Sequence, residues 1–314
     1  PKRKGVYNMT KVLITGATGF LGRNLTPLLS KKYDVKAIGS EHDLRDREVC
    51  DELLAFGGFD VVVHAAGSVG GILANRENPG KFMYENLIMG TNLIHSAKTF
   101  NVNKFILLGT VCAYPKFTPV PFSEEEIWNG YPEETNAPYG IAKKALMKLL
   151  ETYHEQYGMS GVNLIPVNMY GPHDHFNLTS SHVIPAIILK FYNAMKEGSR
   201  EVTIWGTGEA SREFLYAPDC AEAIDLAIEK DLTPEPMNIG TGKEIKIKDL
   251  VSEIAEQMGF EGDIVYDSSK PDGQPRRCLN TTRAEQRLGF KASTDLQQGL
   301  KQTIEWFLGG QTCT

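Results

Sequence analysis

The sequence predicts an α/β fold, a doubly wound parallel sheet with a smaller C-terminal α/β lobe. Three observations predict it. The apolar run Lys11-Val12-Leu13-Ile14-Thr15 passes through a glycine turn into a segment of helical period. Short apolar runs then alternate with helical stretches through the first half of the chain. From His173 the composition changes to polar and aromatic segments broken by glycine and proline.

The first element is the strand at Lys11–Thr15. Its turn, Gly16-Ala17-Thr18-Gly19-Phe20-Leu21-Gly22, opens a helix that runs through Leu25, Leu28 and Leu29. Strand, glycine turn and helix are the setting of a dinucleotide fingerprint. Glycines admit the backbone close to a pyrophosphate, and the helix start offers unpaired N–H groups. The spacing is G-x-x-G-x-x-G. A second strand, residues 34–39, leads into Ser40-Glu41-His42-Asp43. An acidic residue there takes the ribose 2′-hydroxyl of NAD, and a basic one takes the NADP phosphate. Glu41 is acidic and Arg23 and Arg45 are candidate phosphate partners, so the loop alone leaves NAD and NADP both open.

A third strand, residues 59–64, ends in Ala65-Ala66-Gly67, small residues over which a cofactor can lie. Ser68 to Ile72 reads as another flexible turn. A helix over about 79–100 precedes the fourth strand, Ile106-Leu107-Leu108-Gly109. Gly16–Gly22, Ala65–Gly71 and Thr110–Cys112 all fall at strand carboxyl ends, where such sheets bind ligands.

Tyr139 and Lys143 follow, four apart and therefore neighbours on one helical face. With Leu146 and Leu150 they form the inward stripe, opposite Lys144, Lys148 and Glu151. Moving a tyrosine from a pKa of about 10 to about 7 takes about 4 kcal/mol. A cation about 4 Å away supplies roughly that at an effective dielectric near 20. Lys143 is thus expected to make Tyr139 a usable proton donor near neutrality.

Residues 161–168 read as the next strand, and Met169-Tyr170-Gly171-Pro172 breaks the pattern. His173 and His175 have no third metal ligand in the sequence, so a polar loop is expected there. His182 starts a helix and is an acid–base candidate. Trp205-Gly206-Thr207-Gly208 with Arg212-Glu213-Phe214 suits a phosphorylated ligand. A late strand at Met237–Gly240, an amphipathic helix at Ile247–Met258 and a rigid charged loop at Ser269–Arg277 complete the chain. The expected division is 9–172 with 215–240 as a Rossmann-type dinucleotide-binding domain, and 173–214 with 241–309 as the substrate lobe.

Composition excludes several classes. At 314 residues the chain can bury a large core, and its net charge of −6 gives no basis for a nucleic-acid partner. The five cysteines, Cys50, Cys112, Cys220, Cys278 and Cys313, show neither metal nor disulfide spacing, which points to the reducing cytoplasm. No stretch approaches a membrane span. Pro1 to Asn8, with Lys2-Arg3-Lys4, reads as a tail rather than a secretory signal.

The glycine turn with Tyr139-Gly140-Ile141-Ala142-Lys143 resembles the extended short-chain dehydrogenase/reductase family. Val69-Gly70-Gly71-Ile72, Cys112-Ala113-Tyr114-Pro115-Lys116, Tyr170-Gly171-Pro172-His173-Asp174, Ser181-His182-Val183-Ile184-Pro185-Ala186 and Ser269-Lys270-Pro271-Asp272-Gly273 resemble its branch acting on GDP-4-keto-6-deoxy-mannose. The resemblance implies a bifunctional enzyme that epimerises C3 and C5, reduces C4 and uses NADPH rather than NADH. It implies Thr110 beside the C4 carbonyl and Tyr139 as proton donor there, with Lys143 on the nicotinamide ribose. Cys112 would be the base at C3 and C5, and His182 the acid on the opposite face. Inversion needs two such groups, and a thiol's reference pKa of about 8.5 suits a base.

Carried over residue by residue, the cofactor would touch Gly16, Thr18, Gly19, Phe20, Leu21, Gly22, Ser40, Ala65, Ala66, Gly67, Leu108, Tyr139, Lys143, Pro166, Asn168, Met169 and His182. Lys190, Trp205, Arg212 and Asp272 would hold the GDP-sugar. A homodimer through a bundle containing the Tyr139 helix is also implied. Two departures stand out. Ala17-Thr18 occupies a place where some members carry a base for NADP, and Lys190 replaces a frequent arginine, losing its bidentate fork. Alternatives of the same fold are a reductase or epimerase for another GDP-4-keto-deoxy sugar (a dideoxy-hexose or heptose) and an NAD-dependent nucleotide-sugar 4-epimerase.

Overall fold

A computed structural model describes residues 9–70, 72–178, 181–270 and 272–311. The tail at 1–8, Gly71, Pro271 and Cys313 lie outside the described residues. Among those described, six parallel strands form the main sheet: β1 (Lys11–Thr15), β2 (Asp34–Ile38), β3 (Val61–His64), β4 (Lys104–Leu108), β5 (Ser160–Pro166) and β9 (Pro236–Ile239). Their spatial order is β2-β1-β3-β4-β5-β9, so strand order reverses between β1 and β3. Val12, Leu13, Ile14, Val62, Val63, Phe105, Ile106 and Leu107 are wholly buried, as strands covered on both faces require.

The helices on those faces are α1 (Phe20–Leu29), α2 (Arg47–Gly57), α4 (Pro79–Thr99), α5 (Ala137–Tyr157) and α7 (Ala217–Glu229). Asp46 caps α2 by accepting the Glu48 N–H at 2.8 Å, and Gly58 ends it in a left-handed conformation. A short helix, α3 (Ile72–Glu77), begins where a flexible turn was expected, so the loop after β3 closes sooner than its glycines suggest.

The second core lies in the C-terminal half. There β6 (Asn168–Tyr170), β8 (Ser211–Tyr216) and β10 (Glu244–Lys246) make one small sheet, and β7 (Glu201–Trp205) pairs in parallel with β11 (Asp263–Asp267). Helices α6 (Val183–Glu197), α8 (Ile247–Met258) and α9 (Leu296–Gln311) pack there. The α8 bounds match the sequence reading. Leu250, Val251 and Ile254 are fully buried, which contributes roughly 5–9 kcal/mol before entropy is set against it.

The strand expected over 161–168 is two strands. β5 stops at Pro166, the Val167 N–H donates to Ile239 O at 3.0 Å, and Asn168 then pairs with Phe214 in the small sheet. Tyr170 is buried in the second core, so the pattern breaks after it.

Candidate active site

The carboxyl ends of β1, β3, β4 and β5 share one edge of the main sheet, because the strands are parallel and adjacent. The glycine turn lies there. A Cβ on Gly16 would come within 2.7 Å of Ala66 Cα, and one on Gly22 within 2.2 Å of Gly16 O, so both positions demand glycine. A Cβ on Gly19 would meet only Gly16 O, at 3.2 Å. Gly19 starts α1 with no side-chain cap, leaving the first N–H groups of that helix free for an anion. This cradle fits a dinucleotide pyrophosphate.

Below the turn, Thr15 Oγ1 lies 2.9 Å from His64 Nδ1 and accepts the Ala66 N–H at 3.3 Å, fixing the Ala65–Gly67 strip. Burial, with the Lys143 cation nearby, holds His64 neutral with its pKa pushed down to about 3. At the end of β2 the Gly39 N–H donates to Glu41 Oε1 at 2.7 Å, and Ser40 is exposed. The two basic candidates differ. Arg45 pairs with Asp43 at 2.8 Å and Glu85 at 3.1 Å, whereas Arg23 donates to the Thr18 carbonyl at 2.9 Å and has no carboxylate partner among the described residues.

The start of α5 is locked onto the loop after β4. A Cβ on Gly140 would stand 2.3 Å from Cys112 O, so only glycine lets the helix come this close. Thr110 accepts the Cys112 N–H at 3.2 Å. Thr110 and Cys112 flank the buried Tyr139 phenol, Cys112 raising its pKa and Thr110 lowering it. Lys143 is 3 % exposed and donates to Leu108 O at 3.1 Å. A Cβ on Gly67 would be 3.7 Å from Lys143 Nζ, which brings the strip after β3 to the same place. Leu146 and Leu150 are buried behind the pair, Lys148 is exposed, and Lys144 and Glu151 are half-buried.

One expectation fails here. Lys143 does not draw the Tyr139 phenol toward neutrality; burial is the largest influence and raises its pKa, and the neighbouring Cys112 adds to it. The sequence estimate counted the attraction of a cation and omitted desolvation of both groups. Desolvation also acts on Lys143, whose pKa falls from 10.5 to about 8. The ammonium is the disfavoured form, so between about pH 8 and 10.5 the unfolded chain binds more protons and stability rises with pH. Unfolding free energies across that window should climb more steeply for the wild type than for Lys143→Met. Equal slopes would refute a depressed Lys143.

The remaining predicted residues form two further groups. Lys190 donates to Thr203 O at 2.8 Å and sits 5.5 Å from the Trp205 ring centroid, with Lys270 at 5.7 Å. Arg212 donates to Asp272 O at 3.1 Å, while the Asp272 carboxylate accepts the Thr207 N–H and hydroxyl, each at 2.7 Å. Burial and the adjacent Arg277 pull the Arg212 guanidinium down to about 10, an environment that favours an added anion. His182 caps the start of α6, with Nδ1 3.9 Å from Asp174 Oδ1. No hydrogen bond or ion pair joins His182 to Cys112 or Tyr139 among the described residues. Leu108 is buried, and Pro166, Asn168 and Met169 lie at the switch between sheets, where Asn168 donates to Glu213 O at 3.2 Å. His173 packs on Trp306, its ring centroid 5.0 Å away, and no group of three metal-ligating side chains occurs among the described residues.

Sequence reasoning missed the buried polar residues that hold these loops. Asn86 on α4 donates to Ser68 O at 2.8 Å and accepts the Ser68 N–H at 3.2 Å, shaping the strip beside Lys143. Its place in the buried stripe Phe82, Asn86, Gly90, Leu93 was a readable signal. Asn238 donates to Phe122 O at 2.9 Å and Asn280 O at 3.0 Å, and accepts Tyr114 Oη–H at 2.7 Å. Glu213 gathers three backbone N–H groups, and nothing in the local sequence marked it.

The model of the NAD dependent epimerase/dehydratase family matches residues 12–240. The chain is 40 % identical over 313 residues to a GDP-L-fucose synthase of Escherichia coli strain K12, covering 96 % of this chain and 97 % of the relative. It is 39 % identical over 302 residues to a GDP-L-colitose synthase of Yersinia pseudotuberculosis, covering 95 % and 98 %. Among solved structures, a GDP-L-fucose synthetase from Naegleria fowleri bound to NADP superposes with a TM-score of 0.87 at 28 % identity, covering 97 % of this chain and 96 % of that one. A family match across most of the chain, with relatives similar from end to end, places it: the chain belongs to the NAD dependent epimerase/dehydratase family.

Proposed function

We propose that this protein converts GDP-4-keto-6-deoxy-D-mannose to GDP-L-fucose by 3,5-epimerisation and NADPH-dependent 4-reduction. The observation that carries the reading is the loop after β4, where Cys112 gives its N–H to Thr110 Oγ1 at 3.2 Å and which Gly140 alone allows so close to the start of the Tyr139 helix. A plain 4-reductase needs no thiol there. Residues 9–172 with 215–240 would hold the cofactor, and 173–214 with 241–309 the GDP-sugar, gripped by Lys190, Trp205, Arg212 and Asp272.

In this reading the 4-keto group acidifies the C3 and C5 protons. Cys112 removes them from one face and His182 returns them on the other. Thr110 and Tyr139 polarise the C4 carbonyl, and Tyr139 gives its proton to the oxygen as it becomes an alcohol. Burial that keeps the phenol protonated supports an acid role. The bound nicotinamide supplies a hydride to C4. Lys143, deep in the site, orients the ribose.

The test is turnover of GDP-4-keto-6-deoxy-mannose with NADPH in heavy water, followed by NMR of the product. Fucose configuration with deuterium at C3 and C5, lost in Cys112→Ser, is the expected result. A reduced sugar without deuterium would reject the epimerase half. The colitose synthase relative is almost equally similar, so the matching GDP-4-keto-dideoxy sugar is the competing substrate to assay beside it.

Arg23, with no carboxylate partner among the described residues, would take the NADPH 2′-phosphate in place of the base missing at Thr18. Arg23→Ala should weaken NADPH binding about tenfold and leave NADH unchanged, read by cofactor fluorescence titration. Equal effects on both would remove Arg23 from that role.

A homodimer through α4 and α5 is part of the same proposal, supported by exposed Met83, Tyr84 and Tyr157 on those helices and Phe100 just past the end of α4. Sedimentation equilibrium should return twice the mass of one chain; a monomer at micromolar concentration would contradict it. A cytoplasmic setting fits the free thiols of Cys50, Cys112, Cys220 and Cys278, and no described helix is long and apolar enough to cross a membrane. Fractionation of the producing cell would test the location.

A further inference from the structure

Asp174 stands out among the groups that the reaction above does not use. It is 7 % exposed. Its Oδ1 accepts the His175 N–H at 2.7 Å, and its Oδ2 is buried without a hydrogen-bond partner among the described residues. A buried carboxylate oxygen left bare is costly. An asparagine would serve the His175 N–H equally well, so loop structure does not account for the negative charge. The basic group that meets it is His182, whose Nδ1 lies 3.9 Å from Oδ1.

The described residues of the loop that carries Asp174 are tied down at several points. Asn24 on α1 donates to Pro172 O at 2.9 Å, and the His173 ring lies against Trp306. Phe176 stacks on Phe307 with centroids 4.4 Å apart. Ser181, just before His182, donates to His175 O at 2.6 Å and accepts the Asn177 N–H at 2.5 Å, closing the loop on itself. The His182 side chain is 52 % exposed, whereas the Asp174 side chain is 3 % exposed. A buried carboxylate thus stands behind a half-exposed imidazole that opens to solvent.

We propose that Asp174 is the positioning residue for His182: from 3.9 Å, an ion-pair distance, it closes on the Nδ1–H of the imidazolium during the reaction and turns Nε2 toward the sugar. The proposal rests on the reading of His182 as the acid of epimerisation. In that step the imidazolium Nε2–H gives its proton to the enolate carbon left when Cys112 has taken one from the other face. The imidazole stays behind as the neutral Nδ1–H tautomer, still held by Asp174, and the thiolate has become a thiol. A carboxylate on one ring nitrogen fixes both tautomer and ring orientation; behind metal-bound histidines its loss costs about 10- to 100-fold, and a loss of that order is expected here.

Two measurements on the full-length protein decide it. The first is the tautomer of neutral His182 in the wild type, from ¹⁵N-histidine NMR with His182→Asn to assign the resonance. Nδ1–H is expected; Nε2–H would overturn the proposal whether or not any variant folds. The second is deuterium incorporation at C3 and C5 of GDP-4-keto-6-deoxy-mannose by Asp174→Asn. A kcat lowered about 10- to 100-fold at nearly constant KM is expected, and wild-type incorporation would overturn the proposal. His182→Asn separates the two levels. If it incorporates deuterium normally, the assignment of His182 as acid falls and takes Asp174 with it. If it is inactive while Asp174→Asn is fully active, only the role of Asp174 falls.

Discussion

Tyr139→Phe should lower C4 reduction by about 10²- to 10⁴-fold, the range typical of a lost general acid, and leave deuterium exchange at C3 and C5 within a few-fold of wild type. The split follows from the division of labour at the site. The phenol is 9 % exposed and lies beside Thr110, and burial keeps it protonated. Its removal takes away one proton donor aimed at one oxygen. Cys112 keeps its place, because the Gly140 contact that holds its loop involves backbone rather than the ring. NADPH oxidation followed at 340 nm, with exchange followed by NMR, reads the two halves separately. Reduction within tenfold of wild type would move the donor role to Thr110. Loss of exchange in parallel would mean that the ring shapes the whole site and does not act as an acid alone.

Glu213→Ala should cost about 3–5 kcal/mol of stability, the range for removing one partner of a buried charged network. Glu213 is wholly buried on β8. Its carboxylate accepts the N–H groups of Thr241 at 2.5 Å, Gly242 at 2.8 Å and Leu279 at 2.6 Å. Those bonds tie the turn after β9 and the segment at Leu279 to the strand that carries Arg212. Alanine leaves three backbone donors facing a cavity, each costing about 1–3 kcal/mol if water cannot reach it. Denaturant unfolding is the measurement, and a loss below about 1 kcal/mol would show that water replaces the carboxylate. Weaker binding of the GDP-sugar should accompany the loss, since Arg212 is the next residue.

Much of this architecture was legible because period and punctuation agreed. The Lys11–Thr15 strand, the glycine turn and the α8 helix follow directly from apolar spacing and from positions where a side chain has no room. The break inside residues 161–168 was not legible. Val162, Leu164, Ile165 and Val167 are all buried, so a chain leaving one sheet for another shows the same apolar run as a single strand. Asn238 and Glu213 were illegible for a different reason. Their partners are backbone groups distant in sequence, and hydropathy reads a buried polar side chain as a surface residue. At the site, motif spacing brought Tyr139 and Lys143 to one face, but the size of their mutual influence needed the desolvation that only the packed fold supplies.

The switch at Val167 has a mechanical consequence. Pro166 is hydrogen-bonded into the large sheet and Asn168 into the small one, and consecutive Cα atoms are about 3.8 Å apart. At this point the chain passes from one core to the other through a single residue, with no tether between them. The Glu213 bonds to Thr241, Gly242 and Leu279 add a second tie, from β8 to the turn after β9. Val167 is itself buried between the two pairings, so a larger or smaller side chain there would be felt in both sheets at once.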